Sequence, residues 1–305
     1  MQAIWCSAAA GYDEPDCVKT IEYWLARLVL ATLAALPLSV ANRLAKAYVR
    51  LLDIAVPRLR RTALKNLEMA GFAGRERIAA GVFDSIGRLA LSFARFPQIT
   101  RDNVKQWIAY EGFENFENAR RRGRGVLIAT AHLGNWELSA FAHAYLAAPM
   151  HIVVRPLDNA KIDALVEKRR ALSGNHIIEK KDAARGILRA LAAGDAVGIL
   201  IDQNTTPDEG VFIDFFGVKA CAGSAFVKLA HHTGAAVVPG YAVWSENDKR
   251  YALRFEPEVE MSGDVQQDTQ RVHARLEAAI RQYPDQWLWI HRRWKTRPEG
   301  EAAIY

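Results

Sequence analysis

From Gly125 onward the chain alternates short, unbroken apolar runs with stretches of helical spacing. The runs are GVLIAT, HIVVRP, HIIEK, AVGILID, AAVVPGYAVW and YALRFEPEVE. Between them lie NAKIDALVEKRRAL, DAARGILRALAAG and SAFVKLAHHTG, and VQQDTQRVHARLEAAIRQYP follows as a long amphipathic helix. Continuous apolar strands belong to a sheet covered on both faces, and strands that alternate with helices pair mainly in parallel. The expected fold is therefore α/β, a mainly parallel central sheet flanked by helices. Residues 21–97 differ. They read as helical throughout, broken at Pro57 and Gly71 and stopped by RFPQIT. This divides the chain into an N-terminal tail over 1–20, a helical region over 21–97 and an α/β domain over 98–305.

The helical region carries a second pattern. Its charge-free part, Leu28 to Asn42, is 15 residues long and contains Pro37, whereas a spanning helix needs roughly 20 apolar residues. Extending it back to Ile21 requires Glu22 and Arg27 to snorkel. No basic segment precedes the apolar run, which argues against a cleavable signal peptide. The charges that follow are one-sided: Arg43, Lys46, Arg50, Arg58, Arg60, Arg61 and Lys65. If the segment inserts, these cations hold the rest of the chain in the cytoplasm; if it lies flat, they meet anionic headgroups. A helix packed on the domain is the plain alternative. Membrane association is the expectation.

Composition changes this picture only in part. With 305 residues, half of them hydrophobic, the chain can bury a substantial core. A formal charge of +6 favours anionic partners, whether nucleic acid, an acidic membrane face or phosphorylated substrates, without choosing among them. Cys6, Cys17 and Cys221 include no C-x-x-C pair, which points to a reducing compartment and no disulfide framework.

The candidate chemistry lies in GVLIATAHLGNWELSAF, residues 125–141. An apolar strand ends in His132, and Glu137 follows five positions later. Residues i and i+5 diverge by about 140° on a helix, so the two can meet only if His132 stands outside the helix and Glu137 in its first turn. Gly134 permits the sharp turn and Asn135 is a suitable N-cap. Glu137 would then hold one imidazole nitrogen and leave the other to act as a general base at the carboxyl edge of the sheet, where ligands bind in such folds. The plain reading is a structural histidine at a strand end. No G-x-S-x-G supplies a protein nucleophile, and no H-E-x-x-H or third ligand supports a zinc site, so the histidine would activate a substrate hydroxyl or water directly.

HLGNWE resembles the H-x-x-x-x-[DE] motif of the glycerolipid acyltransferase superfamily, and the chain is similar, more specifically, to the late acyltransferases of lipid A biosynthesis. RRTALKNLEMAGF, VVRPLDN, GILIDQN, GVFIDFFGVKACAGSAFVKLAHHTGAAVVPGY and WLWIHRRWKTRPEGE carry the resemblance in order, from Arg60 to Glu301. It implies a membrane-associated acyltransferase on the cytoplasmic side of the inner membrane. The donor would be a thioester of acyl carrier protein or coenzyme A, and the acceptor a hydroxyl of an anionic lipid: a lipid A precursor, a related phosphorylated glycolipid or a lysophospholipid. It implies His132 as base, Glu137 as its orienting carboxylate, and neither metal nor prosthetic cofactor. Hydrolysis of a thioester or ester by the same pair is the alternative. A non-enzymatic module for anionic lipid or nucleic acid is a third, against which the dyad argues, because phosphate binding needs no histidine–carboxylate couple; nucleic acid is therefore not an expected partner.

Other strand ends supply candidate substrate contacts. Arg155, after HIVV, should face the same cleft and bind phosphate or the oxyanion, or else form a surface salt bridge. Asp202 and Gln203, ending GILIDQN, are candidates for acceptor recognition, for supporting the dyad, or for capping a turn. In IHRRWK, Arg292, Arg293 and Lys295 are candidates for phosphate or lipid contact, with a solvated basic tail as the plain reading. FIDFFG suits core packing before an acyl pocket. ARRRGRG suits a solvated turn, His231 and His232 suit packing or surface, and Glu111 and Glu114 are surface acids.

Overall fold

A computed structural model describes residues 16–179 and 183–305; residues 1–15 of the expected tail, Cys6 among them, lie outside the described residues. Helix α1 (Asp16–Ala35) already includes positions expected in the tail and ends before Pro37, which turns the chain into α2 (Leu38–Ala55). Helix α3 (Pro57–Met69) opens with Pro57 in its first turn, where the missing N–H costs nothing. Gly71, at φ 75°, separates it from α4 (Arg75–Ala94), which stops at a 3₁₀ turn over Phe96–Gln98. These are the expected breaks. Among the described residues no helix is long and apolar enough to cross a membrane.

The α/β part runs β1 (Ile108–Glu111), α5 (Phe113–Arg120), β2 (Val126–Thr130), α6 (Trp136–Leu146), β3 (His151–Val154), α7 (Ala160–Arg170) and β4 (His176–Glu179). It continues with α8 (Ala183–Ala192), β5 (Ala196–Leu200), a hairpin of β6 (Gly210–Phe215) and β7 (Val218–Gly223), α9 (Ala225–Thr233), β8 (Ala236–Ser245), β9 (Arg250–Phe255) and α10 (Val265–Gln282). Seven strands form one sheet in the order β1-β9-β8-β2-β5-β3-β4. All its pairs are parallel except β8 with β9. The expected mainly parallel sheet is present; β1 and the separate β6–β7 hairpin are additions to the expected strands.

Alternate residues of β2 enter different cores. Leu127 and Ala129 pack with Leu67, Val82, Leu191 and Leu276 on one face, and Val126 and Ile128 pack with Leu138, Phe141 and Phe93 on the other. Both faces are apolar because both are covered, which is why the strand reads as an unbroken hydrophobic run. Residues from α2, α3 and α4 belong to these same cores, so the helical region is packed onto the sheet.

Candidate active site

Strands β2 and β5 are parallel neighbours with Thr130 opposite Leu200. Two residues beyond that pair, at equal height on the carboxyl edge, stand His132 and Asp202. The Asp202 carboxylate grips His132 twice: Oδ1 lies 2.8 Å from the ring Nδ1, and Oδ2 accepts the His132 backbone N–H at 2.9 Å. The Trp287 indole donates to the same Oδ2 at 2.7 Å. Burial alone would raise the Asp202 pKa, but the imidazole beside it and these three donors hold it well below the usual carboxylate range. An ionised carboxylate only accepts, so Nδ1 carries the proton, and in the neutral form of the ring the lone pair is on Nε2.

The turn that presents His132 is fixed by close backbone contacts. Gly134 has φ 63°, and a Cβ there would fall 1.9 Å from the Ala242 carbonyl oxygen, which excludes any other residue without moving β8. Asn135 caps α6 by accepting the Leu138 N–H at 3.0 Å and donates to Ser92 Oγ of α4 at 2.7 Å. Leu288 N–H donates to the His132 carbonyl, which ties the loop to the segment that carries Trp287. Trp136 stacks edge-on against the imidazole at 4.9 Å, and Gln203 Nε2 lies 3.5 Å from His132 Nε2, at the outer limit of a hydrogen bond. His132 as a whole is 2% exposed.

Glu137 is in the first turn of α6 as expected, but its hydrogen bonds go elsewhere. Arg170 grips it in a fork, with Nε donating to Oε2 at 2.8 Å and Nη2 to Oε1 at 2.5 Å. Burial pushes the Glu137 pKa up, the Arg170 charge and hydrogen bonds pull it further down, and His132 adds a smaller attraction, so the net shift is downward. The orienting bond expected from Glu137 is thus made by Asp202. The physical reason is register: adjacent parallel strands place Asp202 beside His132, whereas the helix turns Glu137 toward α7. A narrow, mostly apolar cleft runs from Thr130, Trp136, Glu137 and Arg170 down the sheet face toward Gly198 and Met150.

The remaining candidates separate. Gln203 is at the site. Arg155 is exposed at the carboxyl edge and pairs with Asp158 at 2.9 Å. Arg292 and Lys295 are exposed, with Arg292 over the Tyr305 ring. Arg293 is not on the surface: it is 0% exposed, donates Nη1 to the Cys221 carbonyl at 2.5 Å and lies over the Phe215 ring. Burial pushes its pKa down to about 10. A segment with Trp287, Trp289 and Trp294 all fully buried carries this arginine inward, away from any headgroup at the rim. His291 of the same segment accepts the Asn204 N–H at Nε2 (3.1 Å), and burial pushes its pKa down to about 4. Phe215 and Phe216 are core, residues 121–124 are an exposed turn, and His231 pairs with Asp268. Among the described residues no group of His, Cys, Asp and Glu could hold a metal ion.

Two participants were not singled out from sequence. Arg170 continues the buried stripe Ile162, Val166, Arg170 of α7, and an arginine at the apolar spacing was the available signal. Trp287 carries no such signal, since its indole meets Asp202 across 85 positions.

Residues 13–296 match the family described as bacterial lipid A biosynthesis acyltransferase. The chain belongs to that family. It is 31% identical over 250 residues to a lipid A biosynthesis palmitoleoyltransferase of Escherichia coli strain K12, covering 80% of this chain and 81% of that protein. It is 29% identical over 295 residues to the lauroyltransferase of the same strain, covering 93% and 95%. It is 23% identical over 252 residues to the myristoyltransferase, covering 81% and 78%. This acyltransferase family membership agrees with the resemblance read from HLGNWE and its companion stretches.

Proposed function

We propose that this acyltransferase moves a fatty acyl chain from an acyl carrier protein or coenzyme A thioester to a hydroxyl of a lipid A precursor. His132 Nε2 removes the hydroxyl proton. The freed oxygen attacks the thioester carbonyl, an ester C–O bond forms, the C–S bond breaks, and the imidazolium returns its proton to the departing thiolate. Asp202 orients the ring and stabilises its cation; Glu137, neutralised in part by Arg170, adds a weaker field. The observation that carries this reading is the double grip of Asp202 on His132, which fixes the basic nitrogen at the sheet edge.

Attachment to the cytoplasmic face of the inner membrane is part of the same proposal. Ile21, Trp24, Leu25 and Leu28 form an exposed stripe on α1, opposite its buried Ala26, Leu30 and Leu33. Leu51 and Ile54 are exposed on α2, and Arg43, Lys46 and Arg50 of that helix are exposed as well. An apolar stripe beside cations suits a helix pair lying in the headgroup layer.

The test is product analysis by mass spectrometry with an acyl thioester, with and without a lipid A precursor. The expected product is the acceptor heavier by one acyl chain, and His132→Ala should lower its rate by about 10²–10⁴-fold. Free fatty acid as the sole product would make the protein a hydrolase, and a folded His132→Ala enzyme of near-normal rate would remove the base from the mechanism.

A further inference from the structure

The cleft below the site has a floor that can be placed by strand register. Ile128 of β2 and Ile152 of β3 flank Gly198 of β5 in one row across the sheet, and all three line the cleft. A Cβ on Gly198 would come within 2.7 Å of Met150 Cε. The tip of the methionine therefore occupies the space that the glycine leaves, and it closes the cleft at that row. Glycine inside a strand marks such a close approach. His132 is four residues above Ile128, about 13 Å at roughly 3.3 Å per residue. An extended hydrocarbon advances about 1.25 Å per carbon, from bonds of about 1.52 Å at about 111°.

We propose that this cleft holds the acyl chain of the donor and that Met150, seated on Gly198, sets its length at about 10–12 carbons. The inference rests on the acyl-transfer reading above and adds to it the donor's chain class and the residues that measure it. The donor is the occupant because the cleft is lined at its upper end by Thr130 and Trp136, and the Trp136 ring lies 4.9 Å from the imidazole, which fits a chain whose reacting carbonyl is at its top. The acceptor's own acyl chains have their reacting hydroxyl elsewhere.

The experiment measures transfer from thioesters of graded saturated chains, from about 8 to about 18 carbons, to a fixed acceptor. Equilibrium dialysis of the matching free fatty acids runs in parallel. Each added methylene should strengthen wild-type binding about fourfold until the floor is reached, then cease to help. Met150→Ala should move the optimum up by at least two carbons and raise the ratio of 16- to 12-carbon transfer about tenfold. Gly198→Ala, whose Cβ fills the row beside Met150 Cε, should move the optimum down. Opposite shifts in the two variants support the floor. Unchanged profiles in both, or a shift confined to the acyl chains of the acceptor, overturn it. If no ester forms with any donor but the fatty-acid binding profile still shifts, the transfer reading fails and the cleft stands.

Discussion

The carboxyl edge of the sheet and the outer face of the N-terminal helix pair invert the usual distribution in opposite senses. At the edge, His132, Glu137, Arg170 and Asp202 are all buried. On the helix pair, Trp24 is 57% exposed and Ile54 76%. Buried ionisable groups and exposed large apolar ones both cost stability unless something compensates. At the edge the compensation is internal, a closed set of ion pairs and hydrogen bonds. On the helices no described residue supplies it, and the membrane attachment proposed above would.

The sharpest way to break this contrast is Asp202→Asn. The amide keeps the shape but cannot hold Nδ1–H against an ionised acceptor, so kcat should fall by about 10²–10⁴-fold with little change in acceptor binding. A loss below tenfold in steady-state kinetics would return the orienting role to Glu137. Next in size is Arg170→Met, which leaves Glu137 buried and unpaired and should cost about 3–5 kcal/mol in urea unfolding. Glu137→Leu combined with Arg170→Met should cost less than Arg170→Met alone. If the double variant is the weaker of the two, the pair is not an internally compensated unit. The smallest effect belongs to the outer face: Trp24→Glu with Leu28→Glu should weaken binding to anionic vesicles by about 2 kcal/mol, near thirtyfold, and leave thermal stability unchanged. Unaltered vesicle binding would shift attachment to the rim cations Arg155, Arg292 and Lys295.

Much of this was legible in the chain. The apolar runs gave the strands of the main sheet except the four-residue β1, and His-Leu-Gly-Asn gave both the turn at Gly134 and the cap at Asn135, because turns and caps are local. Asp202 was legible as a possible support for the dyad, but not as the direct partner of the His132 imidazole. From sequence the nearest carboxylate is five residues away, whereas the one that binds is 70 residues away and is brought near only by the register of two strands. Arg293 misled for a related reason: a run of cations looks solvated unless the tryptophans around it are known to fold inward. In the β6–β7 hairpin the sequence signals only phenylalanines for a core, which Phe215 and Phe216 are, since an isolated two-strand ladder leaves little periodic signal.

The indole of Trp287 and the amide of Leu288 reach back to Asp202 and His132, and this has a consequence for biosynthesis. Strands β2 and β5 can emerge from the ribosome and begin to pair while residues 284–296 are still within the exit tunnel. At that stage the imidazole has one of its supports and lacks the other. Full orientation of the imidazole is thus expected only once the tryptophan segment has folded back, and a chain cut before residue 284 should lose acyl transfer even where β2 and β5 have paired.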